Sequence, residues 1–241
     1  MTAITLAFDV YGTLVDTHGV TVSLEKHVGD SALAFSRLWR EKQLEYTSRR
    51  ALMQRYRPFP VCVADALDFT CASFGRRLAP EEKQALLAGY ETLPAFSDSE
   101  QGLRRVAKAG HRSFAFSNGA ADAVDRVLRH AGIREYFADI VSVDDIASFK
   151  PDPVVYGHFL KETGATAAST WLVSANPFDV MGAVSFGMRA VWVRRSPETV
   201  FDPWGIEPDR VVGNLAELGD AIATTVSGET GCAAHANFLR L

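Results

Sequence analysis

The chain has 241 residues, 47% of them hydrophobic and 22% charged, with a formal net charge of −4. That is enough for one large domain or two small ones of ordinary globular composition, and the acidic balance excludes the basic field on which nucleic-acid binding draws. No apolar run approaches the roughly 20 residues of a membrane-spanning helix, the first residues lack the basic start and cleavage site of a signal peptide, and neither the three cysteines (Cys62, Cys71, Cys232) nor the six histidines show metal-ligand spacing, so a reduced, cytoplasmic protein is expected.

Ile4 and Leu6-Ala7-Phe8 read as a buried strand. Asp9 stands where that strand should stop, and Gly12-Thr13 reads as a turn. Asp9 has two readings here. It is either a turn-capping residue or a functional carboxylate at the C-terminal end of a central parallel strand, where open α/β sheets bind ligands. A helical insertion follows, roughly 15–93. Asp30 or Ser31 caps a helix reaching about Thr47, with Phe35, Leu38 and Trp39 as its apolar stripe. Leu52, Met53 and Tyr56 continue an apolar face until Pro58 and Pro60 break it. Val63, Leu67, Cys71 and Phe74 recur at helical spacing up to Gly75, and Pro80-Glu81-Glu82 opens another helix. Pro94 closes the block, which holds no strand candidate.

From about 95 the pattern alternates. Leu103, Val106 and Ala107 lie on a helix stopped by Gly110, and 113–116 is a strand ending at Ser117-Asn118-Gly119. Val124, Val127, Leu128 and Ala131 form a helical stripe, and 140–143 is a short strand. Pro151 and Pro153 open a helix to about Glu162; 171–173 is a strand ending at Ser174; Val180 and Val184 mark a helix ended by Gly187. A strand at 190–193 and a helix carrying Leu215, Leu218 and Ile222 complete the pattern, and 227–241 reads as an aperiodic tail. Strands alternating with helices imply right-handed crossovers and a parallel sheet covered on both faces. The expected fold is therefore α/β: a doubly wound, Rossmann-like core (1–14 and 94–226) with an inserted all-helical cap (15–93) roofing the crevice above Asp9.

Four stretches place polar residues at predicted strand ends: Asp9 and Thr13; Ser117 and Asn118; Lys150; and Ser174, Asn176 and Asp179. In a doubly wound sheet these ends converge. Lys150 near Asp9 and Asp179 would offset their repulsion and keep both carboxylates ionised, and an ionised, partly desolvated carboxylate held by a hydroxyl such as Thr13 can act as a nucleophile.

Asp9-Val10-Tyr11-Gly12-Thr13-Leu14, Ser117-Asn118-Gly119, Lys150-Pro151-Asp152-Pro153 and Ser174-Ala175-Asn176-Pro177-Phe178-Asp179 resemble the four motifs of the haloacid dehalogenase superfamily, over about residues 3–225. Leu38-Trp39-Arg40 and Gln43-Leu44-Glu45-Tyr46 resemble the L-2-haloacid dehalogenases within it. Phosphatases of this superfamily carry a second Asp two places after the nucleophile. Here that place holds Tyr11, which supplies no carboxylic proton, and Asn176 stands where metal-dependent members usually carry an acid. Magnesium favours carboxylate ligands, so the resemblance implies no metal and no cofactor.

The resemblance further implies the following roles. Asp9 attacks C2 of a small L-2-haloacid and forms an ester, whose hydrolysis gives a D-2-hydroxy acid and halide. Asp179 is the base or water-positioner, held with Ser174 and Asn176; Lys150 stabilises Asp9 and the oxyanion, with Tyr156 facing the same cleft. Ser117 and backbone amides near Tyr11 hold the substrate carboxylate, while Arg40 and Asn118 receive the halide. Tyr11, Leu44, Phe59 and Phe178 form an apolar wall around the carbon–halogen bond. Glu41 and Phe178 depart from a commoner Gln and Trp; a carboxylate at Glu41 facing the cleft would oppose halide binding. Family resemblance also implies a homodimer through the cap. The alternatives are a magnesium-dependent phosphatase of the same fold, a hydrolase of another carbon–heteroatom bond such as that of azetidine-2-carboxylate, and a binding module without turnover.

Overall fold

The computed structural model describes residues 4–226; Cys232 and the predicted tail at 227–241 lie outside the described residues. The first strand, β1 (Thr5–Phe8), is buried at every position, as a strand covered on both faces must be. Helices α1 (Thr21–Val28), α2 (Ala32–Leu52), α3 (Phe59–Ser73) and α4 (Pro80–Ala88) follow, then α5 (Ser99–Lys108). The alternating half runs β2 (Arg112–Ser117), α6 (Ala121–His130), β3 (Asp139–Ser142), α7 (Pro153–Thr163), β4 (Thr170–Ser174), α8 (Pro177–Phe186), β5 (Arg189–Val193), β6 (Arg210–Val212) and α9 (Leu218–Val226).

The six strands form one sheet in the order β3-β2-β1-β4-β5-β6, every pair parallel. The order reverses at β1: β2 and β3 extend one way, β4 to β6 the other. Phe8 pairs with Ala115 on one side and Val173 on the other, and the Asp9 N–H prolongs the ladder to the Val173 carbonyl at 3.0 Å. The residue after β1 therefore emerges at the topological switch point, where the adjoining crossovers part and leave a crevice.

Each crossover helix offers the sheet one apolar face. Leu103 and Val106 on α5, and Val124, Val127 and Leu128 on α6, are buried while the charged residues beside them are not. The insertion has an apolar interior of its own. Phe35, Trp39, Gln43 and Thr47 form the buried stripe of α2; Phe35 stacks on Phe74 at 5.2 Å, and the Trp39 indole N–H donates to the Val63 carbonyl of α3 at 2.9 Å. That stripe continues to the partly buried Ala51, so Leu52, one residue and about 100° further round the helix, points to solvent at 86% exposure. Met53 is also exposed, and the expected apolar continuation at Leu52 and Met53 is corrected accordingly. The helical pattern does end before the two prolines, and Pro58 stands at the N-cap of α3 while Pro60 lies in its first turn, where an amide hydrogen is dispensable.

The insertion leaves and re-enters the sheet region at one seam. Val15 bridges to both Tyr11 and Ala95, the Asp16 N–H donates to the Pro94 carbonyl at 2.9 Å, and the Leu14 carbonyl accepts from the Phe96 N–H and the Ser99 hydroxyl. No helix among the described residues is long and apolar enough to cross a membrane.

Candidate active site

Five segments that follow strand ends meet above β1. Asp9 ends β1 and is 7% exposed. Its Oδ2 accepts from the Thr13 hydroxyl at 2.7 Å and from Asn176 Nδ2 at 2.7 Å. Thr13 reaches back because Gly12, at φ +87°, turns the chain in a conformation that suits glycine, and the same hydroxyl accepts the Ala175 N–H at 2.8 Å. Lys150, 1% exposed, places its ammonium 3.3 Å from Asp9 Oδ1, 2.8 Å from Asp179 Oδ2 and 2.9 Å from the Phe116 carbonyl. It also lies 4.1 Å from the centre of the Phe116 ring. All three ammonium hydrogens thus have acceptors, as burial of a lysine demands.

Asp179 sits in the first turn of α8, where the helix dipole favours negative charge, and accepts the Tyr156 hydroxyl at 2.9 Å. Complete burial, with the nearby Asp9 charge, pushes the Asp179 carboxyl above the usual aspartate range, against the pull of Lys150 and Tyr156. Burial also holds the Tyr156 phenol well above its ordinary value, Asp179 adding to the effect. Tyr11 is pushed up to about 12, mainly by burial. Both phenols are therefore neutral donors near neutrality, and neither serves as a base.

From the insertion, Arg40 reaches across and donates Nη2 to the Tyr11 carbonyl at 2.9 Å. Burial lowers its basicity, yet a guanidinium stays charged. Among the described residues no carboxylate lies within ion-pair distance of it. Glu41 beside it is exposed, since successive helical residues point about 100° apart.

Asp9, Thr13, Lys150, Tyr156, Asn176 and Asp179 form one hydrogen-bonded network, and Arg40 joins it at Tyr11, whose carbonyl also accepts Asn176 Nδ2 at 3.4 Å. Ser117, Asn118 and Ser174 hold loop backbone: Ser117 Oγ accepts the Gly119 N–H, Asn118 Oδ1 the Lys150 N–H and Ser174 Oγ the Asn176 N–H. The four expected wall residues do not share one cavity. Tyr11 and Phe59, with rings 5.4 Å apart, line a cavity of about 100 Å³ together with Tyr90. Phe178 lines a different groove with Pro151, Met181 and Trp204, and Leu44 is half-buried on α2. Among the described residues no cluster of three or more His, Cys, Asp or Glu side chains is placed to hold a metal.

Three participants have no role in the sequence reading, Gln43 appearing there only within the stretch Gln43-Leu44-Glu45-Tyr46. Gln43 and Tyr90, both buried, hydrogen-bond to each other at 2.6 Å; the usable signal was that Gln43 falls three residues after Arg40, on the same helix face. Arg195, after β5, donates to the Thr13 carbonyl and grips Asp98 through Nη1 at 2.7 and 2.6 Å, bracing the loop that holds the Asp9 carboxylate. Nothing in its local sequence announces that reach.

A carboxylate at the switch point, clamped by a hydroxyl, an amide and a buried lysine beneath an inserted helical layer, defines a hydrolase of the haloacid dehalogenase-like family. Residues 5–187 match the model of that family, and the chain belongs to it. Across nearly its full length it is similar to (S)-2-haloacid dehalogenase of Pseudomonas putida, with 36% identity over 92% of this chain and 97% of the relative. Among solved structures, L-2-haloacid dehalogenase from Xanthobacter autotrophicus superposes with a TM-score of 0.87 at 28% identity, covering 92% of this chain and 99% of that one. The same enzyme with chloropropionic acid covalently bound gives 0.86 at 28% identity, over 95% and 100%.

Proposed function

We propose that the chain is an (S)-2-haloacid dehalogenase that converts L-2-haloacids to D-2-hydroxy acids and halide through an ester on Asp9, without a metal ion. The observation that carries this reading is the pairing of a fully clamped Asp9 with Tyr11 two residues on. The nucleophile is present, while the position two places after it holds no carboxylic acid to protonate an alcohol leaving group, which a halide does not need.

Asp9 Oδ2 is held by two hydrogen bonds, whereas Oδ1 meets only the lysine at 3.3 Å. Oδ1 is the oxygen with lone pairs to spare, and it attacks C2 from the side opposite the halogen. The C–O bond forms as the carbon–halogen bond breaks, its electron pair leaving with the halide. Arg40, a partly buried cation whose protein acceptors are neutral, receives that anion with Asn118. Ser117 and the N–H groups around Tyr11 hold the substrate carboxylate. Water then adds to the Asp9 ester carbon, Asp179 taking its proton, and the bond from Asp9 Cγ to the ester oxygen breaks as Asp179 returns that proton to the departing oxygen, releasing the hydroxy acid. The oxygen of water stays on Asp9. Lys150 stabilises the oxyanion, and Tyr156 steadies Asp179. Tyr11 and Phe59, whose rings lie 5.4 Å apart, exclude water around C2.

Residues 15–93 act as a cap over a core made of 1–14 and 94–226. The enzyme works in the cytoplasm, in keeping with the buried free thiols of Cys62 and Cys71, and as a homodimer through the cap, for which the exposed Leu52 and Met53 supply apolar surface.

Ion chromatography of halide released from L- and D-2-chloropropionate, with and without EDTA, tests the proposal. Release from the L enantiomer alone, unchanged by EDTA, is expected. Phosphate release from phosphomonoesters that requires magnesium, with no halide release, would replace it by the phosphatase reading.

A further inference from the structure

Arg40, partly buried, differs from the fully buried Lys150 by the company it keeps. Lys150 is neutralised by two carboxylates, whereas Arg40 is met by the Tyr11 carbonyl at 2.9 Å and by Gln43 Oε1 at 3.4 Å. Both acceptors are neutral. Gln43 is fully buried, on the face of α2 shared with Trp39, and its amide has a direction: Nε2 donates to the Tyr90 hydroxyl at 2.6 Å. Tyr90 is itself buried, edge-on to Trp39 with ring centres 5.0 Å apart, so its oxygen cannot swing away. An amide has one donating and one accepting end. With the donating end engaged by Tyr90, the accepting end must face the guanidinium.

We propose that Gln43 and Tyr90 are positioning residues for Arg40. Their hydrogen bond fixes the Gln43 amide so that it steers the guanidinium without cancelling its charge, which leaves Arg40 free to take the departing halide. This rests on the reading of Arg40 as the halide acceptor. A glutamate at position 43 would fit the same volume and grip Arg40 better, but would remove the net positive charge that an anion needs. A flipped amide would turn an NH2 group toward Arg40 and push it off the Tyr11 carbonyl. The geometry thus explains why a buried amide stands where a buried charge pair would bind the cap arginine more tightly.

The test compares Gln43→Glu, Gln43→Leu and Tyr90→Phe in the full chain. Halide affinity is measured twice, by product inhibition during turnover and by the line width of the bromide NMR signal with enzyme alone. Gln43→Glu should weaken halide binding and lower kcat by about tenfold or more, because a unit charge a few ångströms from the anion acts there through an effective dielectric near 20. Gln43→Leu, which removes the acceptor but adds no charge, should lose less. Tyr90→Phe should lose a few-fold, and almost nothing further when combined with Gln43→Glu, because both act through one contact. A merely structural role predicts instead that Glu and Leu lower the melting temperature alike and leave halide affinity alone. Bromide binding within twofold of the unmodified enzyme in folded Gln43→Glu overturns the inference. A protein that binds bromide in this order of variants yet dehalogenates no substrate would overturn the activity reading and keep this one.

Discussion

Replacing Lys150 by methionine tests the centre of the site most directly, because it keeps the length of the side chain and deletes only the charge. The ammonium lies 3.3 Å from one carboxylate oxygen and 2.8 Å from the other. At an effective dielectric of 20 those separations correspond to gross attractions of about 5 and 6 kcal/mol. Removing three charges from water offsets much of that sum, so the net worth of the triad is small. Deleting one partner is another matter, because it strands two carboxylates in a site where Asp179 is wholly buried; breaking a buried pair costs about 3–5 kcal/mol. For a chain of this length that is a drop of roughly 6–20 °C in melting temperature. The loss should depend on pH. Burial already raises the Asp179 carboxyl, and without Lys150 it rises further. A carboxyl whose folded value lies above its unfolded value stabilises the fold at low pH, and that contribution disappears as pH rises through the folded value. The deficit should therefore be smaller at pH 5 than at pH 8. Turnover, followed by halide release, should fall by about 10²-fold or more with the loss of preorganised charge. A Lys150→Met enzyme that melts within 2 °C of the parent at pH 8, or keeps half its rate, would refute the idea that one ammonium holds both acids in place.

Asp9→Asn should abolish halide release while leaving the melting curve close to that of the parent, since the amide oxygen can still accept from Thr13; turnover of the parent in heavy-oxygen water should leave label in the peptide carrying Asp9, read by mass spectrometry. Tyr156→Phe removes a hydrogen bond that favours ionised Asp179, so the acid limb of the kcat/KM profile should move to higher pH, and a limb that stays or moves down would exclude Asp179 as the base. Gly182→Ala should act the same way from a distance, because a Cβ there would sit 2.3 Å from the Tyr156 hydroxyl and 2.8 Å from Pro151 Cβ. Gly157→Ala, which meets only the edge of Phe186 at 3.4 Å, is its control and should leave the profile alone.

The residues legible from sequence are those whose neighbours along the chain reveal their place. Asp9, Ser117 and Ser174 stand at the ends of apolar runs that can only be buried strands, and in a parallel sheet such ends gather on one side, so their meeting could be reasoned out before any coordinates. Strand β6 was missed because it is three residues long and sits at the sheet edge, with Val211 half out in solvent; nothing in it alternates. Helix α1 buries only Leu24 and Val28, too little for a stripe. Gln43 and Tyr90 escaped for another reason. Gln43 stands out in the sequence only as part of a family-like stretch, without a role, and only a tyrosine 47 residues away makes its burial tolerable. Arg195 reaches Thr13 across 182 positions. Leu52 and Met53 were misread because apolar character was followed past the point where the helix had turned that face outward. Local pattern reports what a segment buries, and it is silent on polar partners that only the closed fold supplies.

The seam at Asp16 and Pro94 has an engineering consequence. A segment whose two ends already touch, here at 2.9 Å between the Asp16 N–H and the Pro94 carbonyl, can be swapped for one of another length with little change in closure entropy, about 0.6 kcal/mol for each doubling. The sheet is therefore a chassis. A foreign lid transplanted between those two positions would change which molecules arrive at the nucleophile while leaving the strands, and the clamp around Asp9, as they are.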